Sequence, residues 1–175
     1  MIEHLILVDE KDKEVGSCEK MEAHKKGLLH RAFSILLLNK KGEMLLQKRF
    51  SGKYHSGGLW TNACCGHPRP GEDTKAAAIR RMREELGMAC PLDESFNFSY
   101  KVPFDNGLIE HEFVHVYRGV YEGDFEPNPK EVEDLKWISL PNLLEDISLN
   151  PQYYTAWFQL YCLEKWTEIS GMRKT

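Results

Sequence analysis

The 175-residue sequence predicts an α+β fold, a mixed β-sheet packed between helices, and three observations carry that reading. The 42% hydrophobic content at 20.3 kDa supplies one sizeable core and little room for two. Strand-like and helix-like segments are mixed without regular β-α-β alternation. No repeat period or low-complexity tract divides the chain, so residues 1–175 read as one domain.

Taken in order, residues 5–8 and 33–38 are aliphatic runs of the kind that form buried strands. Residues 44–49 follow the second run after the turn Asn39-Lys40-Lys41-Gly42, which suggests an antiparallel meander. Glycine and proline concentrate in 51–71 and 122–129, which are loops. From Asp73 the pattern changes: Ala76, Ala77, Ile79, Met82 and Leu86 recur at helical spacing up to Gly87, a helix with an acidic first turn and a glycine stop. Strands resume at 96–102 and 109–120, a further one lies in 131–140, and a helical C-terminus covers 155–169.

Charge excludes several classes of function. The 23 Lys and Arg against 27 Asp and Glu leave −4, with a pI near 6.0, so there is no general electrostatic reason to bind nucleic acid or an anionic membrane. The longest purely aliphatic run, 35–38, is far short of the ~20 residues of a spanning helix. The N-terminus places acids on both sides of its apolar stretch, unlike a signal peptide, and the expected location is the cytoplasm. Five cysteines without CxxC spacing suggest reduced thiols rather than a disulfide framework or zinc knuckle. A small-molecule partner and a monomeric chain are the expectation.

Two clusters point to chemistry. Arg81, Glu84 and Glu85 share a face of the predicted helix, with Glu72 where it begins; such acids bind divalent cations, although a solvated charged face is the commoner outcome. Glu110 and Glu112 alternate on a strand and leave the same side of the sheet. Two inward carboxylates need a counter-charge, and with His24, His30 and His67 the donor set suits Mn2+ or Zn2+ better than Mg2+. His4, His55, His111 and His115 are assigned to surface or hydrogen-bonded roles, the last two pointing away from Glu112.

The spacing Gly66-x5-Glu72-x7-Arg80, followed by Met82, Glu84, Glu85, Gly87 and Met88, resembles the Nudix box at eight of nine specified positions. Arg81 stands where the hydrolases carry a metal-binding Glu, which argues against diphosphate cleavage but not against diphosphate binding. The loop Trp60-Thr61-Asn62-x-x-Cys65-Gly66-His67-Pro68 follows His24, His30 and the strand RAFSILLLN and precedes Glu110-His111-Glu112. In this combination, from the first strand through Trp157, the chain resembles the type 1 isopentenyl-diphosphate isomerases.

The resemblance implies a double-bond shift in which one proton is added and another removed, with no bond to phosphorus broken. It implies Cys65 and Glu112 as the proton-handling groups and Tyr100 as a hydrogen-bond partner on the acid side. The implied metal site is His24, His30, His67, Glu110 and Glu112, with Mn2+ or Zn2+, so that Glu112 is both ligand and proton donor. Trp157 would face the carbocation. The diphosphate would be held by Mg2+ on Glu85 and the Cys65 carbonyl, and by Lys20, Arg49, Lys53 and Arg81. Tyr54 stands where some members have a second Lys, and a register displaced by one would exchange Cys64 for Cys65, although the Cys-Gly-His order favours Cys65. The alternatives are a Nudix pyrophosphohydrolase, opposed by Arg81, and a diphosphate-binding module without turnover, opposed by Cys65.

Overall fold

A computed structural model describes residues 2–172. The elements are β1 (His4–Val8), β2 (Glu14–Glu19), α1 (Lys20–Lys26), β3 (His30–Leu38), β4 (Glu43–Arg49), β5 (Trp60–Thr61), β6 (Cys64–Gly66) and α2 (Thr74–Leu86). They continue as β7 (Asp93–Pro103), β8 (Ile109–Val120), β9 (Val132–Ser139), α3 (Leu140–Leu149), α4 (Ala156–Glu164) and α5 (Trp166–Gly171). The α+β class and the mixed sheet stand as expected.

β3 is the spine of that sheet. It runs parallel to β8 from His30↔Glu112 to Leu38↔Val120, and on its other side it meets β1, β6 and β4 in turn, all antiparallel. Both faces are covered, which is why the strand is apolar almost throughout. Phe33, Ile35 and Leu37 pack with Ala77, Met82 and Leu86 of α2. Ala32, Leu36 and Leu38 point the other way, onto Leu143, Phe158 and Tyr161 of α3 and α4. α2 begins where the Asp73 carboxylate accepts the Ala76 N–H at 2.9 Å, and ends at Gly87 with φ 69°. The acid expected in its first turn is therefore the cap, one residue before the helix.

Several elements differ from expectation. The meander holds only for the β3–β4 hairpin; the long partner of β3 is β8, brought in from some eighty residues downstream as a parallel neighbour. β2, with sequence EVGSCE, is a polar edge strand whose order comes from pairing with β1, and it has no apolar alternation to reveal it. α1 is a two-turn helix capped by the Glu19 carboxylate, which accepts the N–H groups of Met21 and Glu22, and closed by left-handed Gly27. β5 and β6 lie within the segment read as loop, and α3 precedes the expected C-terminal helix. Gly66 has a steric reason: a Cβ there would stand 2.8 Å from the Phe33 ring, because β6 lies close against β3.

Candidate active site

Strand register builds the centre of the site. His30 on β3, Glu112 on β8 and Tyr100 on β7 are lateral neighbours in one row of the sheet, so their side chains leave the same face. Glu110 lies two residues along β8 on that face, and α1 brings His24 beside it, Nε2 at 3.0 Å from Glu110 Oε1. His67, just beyond β6, reaches Glu112 Oε1 at 2.9 Å, while His30 Nε2 is 3.5 Å from the same oxygen. The Tyr100 hydroxyl lies 2.9 Å from Glu110 Oε2 and 2.7 Å from Glu112 Oε2; its one proton serves one carboxylate at a time. All five expected metal-site residues are thus gathered in a buried cluster.

The backbone sets the tautomers of two of these rings. His24 Nδ1 donates to the Lys20 carbonyl at 2.7 Å and His30 Nδ1 to the Leu28 carbonyl at 2.8 Å. A neutral imidazole held this way has its lone pair on Nε2, and in both rings Nε2 faces carboxylate oxygen. Acceptor would confront acceptor unless a proton or a metal cation lies between them. His30 Nε2 is moreover a buried polar atom without a hydrogen-bond partner. The ring nitrogens of His24, His30 and His67 lie close enough together to share a divalent metal, as do donor atoms of His24, His55 and Glu110, and Glu112 adjoins the first group.

Electrostatics tunes the row. Burial pushes the Glu112 carboxyl up, but the His30 imidazole beside it outweighs burial and holds the group at about 2. Burial, then the charges of Glu110 and Glu112, push Tyr100 well above the usual phenol range. His67 is driven well below the ordinary histidine value by burial and by the charge of His30. His24 moves up, since the hydrogen bond and charge of Glu110 overcome its burial.

A cavity of about 530 Å3 opens over this row and is lined by Cys65, Tyr100, Glu110, Glu112 and Trp157, together with the cations Lys20, Arg49, Lys53 and Arg81. That volume suits a small molecule. The signature loop is held from below: Asn62 Nδ2 donates to the carbonyls of Ile35 and Cys64, both at 3.0 Å, and its Oδ1 accepts the Cys65 thiol at 3.2 Å. Thr155 Oγ1 meets Thr61 Oγ1 at 3.0 Å, tying the loop to the start of α4 and so positioning Trp157. Burial raises the Cys65 thiol to about 11 against the hydrogen bonds of Ser34 and Asn62, so it keeps its proton at neutral pH. Cys64 points to the opposite face of β6, into the core beneath α2.

On α2 the acids divide. Arg80 takes up Glu72 at 2.7 and 2.9 Å, and Glu84 sits between Arg80 and Arg81 at the exposed edge. Glu85 is buried, paired with Arg81 and held by Gln47 Nε2 at 2.9 Å. It is the acid of α2 that reaches the cavity. Glu131, which no sequence motif marked, pairs with Lys53 and lies 3.4 Å from Arg81. His55 corrects its assignment: it is buried, lines the cavity and lies 2.9 Å from Glu110 Oε1, whereas His111 and His115 do face away from Glu112. Only proximity in space marks Glu131 and His55.

The chain matches the NUDIX domain family over residues 28–158. It is 51% identical over 158 residues to the isopentenyl-diphosphate Delta-isomerase of Burkholderia multivorans, covering 90% of each chain. It is 48% identical over 165 residues to isopentenyl-diphosphate Delta-isomerase 2 of Aromatoleum aromaticum, covering 94% of this chain and 87% of that one. Among solved structures it is similar in fold to DR0079 from Deinococcus radiodurans, with a TM-score of 0.70 at 22% identity over 85% and 90% of the two chains. Among the described residues no helix is long and apolar enough to cross a membrane.

Proposed function

The chain belongs to the isopentenyl-diphosphate Delta-isomerase family, built on a Nudix domain, and from that premise we propose that it interconverts isopentenyl and dimethylallyl diphosphate. The shift adds a proton at one carbon and removes one from another, and the C=C bond moves between them. It therefore needs two groups of opposite proton occupancy at one cavity. That is the observation carrying the proposal: the half-buried Cys65 thiol, pushed up to about 11, and the Glu112 carboxylate, held down at about 2, line one cavity. The reaction is reversible, so each group is the acid in one direction and the base in the other. Tyr100 shifts its hydroxyl hydrogen bond between Glu110 and Glu112 as the charge on Glu112 changes.

His24, His30, His67, Glu110 and Glu112 would hold Mn2+ or Zn2+, and Glu85 with the Cys65 carbonyl would hold Mg2+ on the diphosphate. Bound there, the cations raise the acidity of neighbouring groups and neutralise diphosphate charge. Trp157 offers its ring to a tertiary carbocation, and a cation already lies against it, the Arg49 guanidinium at 5.2 Å from the ring centroid. Lys20, Arg49, Lys53 and Arg81 orient the diphosphate. The proposal extends to action as a monomer in the cytoplasm. An NMR assay in D2O with isopentenyl diphosphate, Mg2+ and Mn2+ tests the reading: deuterium should enter the new methyl group with no release of phosphate. Phosphate or diphosphate release without isomerisation would instead establish a pyrophosphohydrolase.

A further inference from the structure

His55 stands where the histidine–carboxylate cluster meets the aromatic wall of the cavity. It is 7% exposed, and its Nε2 lies 2.9 Å from Glu110 Oε1, the oxygen that His24 Nε2 also faces at 3.0 Å. Its ring stacks on Phe104, centroids 4.6 Å apart at 13°, and meets Trp157 edge-on at 5.7 Å. Arg49 donates to its carbonyl at 3.2 Å. Three parts of the site, the carboxylate cluster, the cation-facing indole and an anion-binding arginine, therefore converge on one residue.

We propose that His55 is a positioning residue for the metal centre: it donates from Nε2 to Glu110 Oε1 and holds that carboxylate in its ligating orientation, while its ring separates the centre from the hydrocarbon pocket. The tautomers argue for positioning rather than ligation. In His24 and His30 a backbone carbonyl takes the Nδ1 proton and leaves a lone pair on Nε2. Among the described residues no carbonyl faces His55 Nδ1; the Ser56 hydroxyl, 3.2 Å away, can donate to it, which leaves the proton on Nε2. An N–H facing a carboxylate is a complete hydrogen bond that needs no cation. Outer partners of this kind are worth roughly 10–100-fold in metal affinity.

The proposal rests on the metal centre proposed above, and its test keeps the two apart. Mn2+ and Zn2+ affinities of the full chain are measured by chelator competition for wild type, His55→Phe, which keeps a ring without a donor, and His55→Gln, which keeps a donor without a ring. The expected result is roughly 10–100-fold weaker binding in His55→Phe at unchanged stoichiometry, with His55→Gln within about threefold of wild type. Should His55→Phe fail to fold, His55→Met, as long as Gln and without a donor, takes its place. Unchanged affinity in the donorless variant overturns the proposal, as does equal weakening in His55→Gln. Loss of a bound ion rather than weaker binding would make His55 a ligand and overturn it too. Wild type that binds neither ion removes the centre itself.

Discussion

Replacing Arg81 by Gln tests how the diphosphate end of the site is built, and wild-type phosphate release separates an isomerase from a hydrolase. The guanidinium serves Glu84 at 2.8 Å, the buried Glu85, and Glu131 at 3.4 Å. Its removal leaves Glu85 with the Gln47 amide and Glu131 with Lys53. Breaking a fully buried pair costs about 3–5 kcal/mol. With the Arg81 side chain 23% exposed and Glu85 still hydrogen-bonded, roughly 2–3 kcal/mol is expected. At about 2–4 °C per kcal/mol for a chain this size, Tm should fall by roughly 4–12 °C. Loss of a charge-assisted contact to the diphosphate, about 1.5–3 kcal/mol, should raise KM roughly 10–150-fold with kcat nearly unchanged. Thermal melts and isomerase kinetics read the two effects separately. A well-folded Arg81→Gln with wild-type KM would take Arg81 out of the diphosphate site. Phosphate release by wild type at rates matching isomerisation would refute the reasoning altogether.

Cys65→Ala should abolish isomerisation yet retain diphosphate binding, while Cys64→Ala, altered on the core side of β6, stays active; the opposite pattern would show that the thiols are misassigned. His67→Ala should lower the metal content measured by elemental analysis, and chelator-stripped wild type should regain activity with Mg2+ alone only where the histidine site has kept its ion. Alkali should destabilise the fold through the buried Cys162 and half-buried Cys65 thiols: desolvation raises Cys65 to about 11 and Cys162 to about 12, so the folded chain holds these protons more tightly than the unfolded one. That stability is whole below about pH 9 and is lost as pH rises through 11–12, at about 1.4 kcal/mol per pH unit per thiol. The urea midpoints of wild type and Cys162→Ala should therefore converge between pH 9 and 12, and a gap that widens would contradict the account.

Local rules made much of this protein legible from its residues alone. The period of α2, its Asp73 cap and its Gly87 stop are written within one turn of the helix they control, and the alternation of Glu110 and Glu112 places both on one face of whatever sheet forms. Donor chemistry alone groups His24, His30 and His67 with those acids only loosely, and the resemblance makes the set specific, since separations of up to 88 residues carry no local signal. Tertiary structure decided the rest. The parallel pairing of β3 with β8 sets His30, Glu112 and Tyr100 in one row, and no pattern within either strand specifies that register. The same long-range packing turned His55, a ring in a glycine-rich loop, into a wall between carboxylate and indole. It also set Glu131 against Lys53 and Arg81. Secondary structure follows from neighbours a few residues apart, whereas His55 and Glu131 meet their partners only when the chain closes loops of fifty residues or more, and that is decided by the burial of the whole sheet.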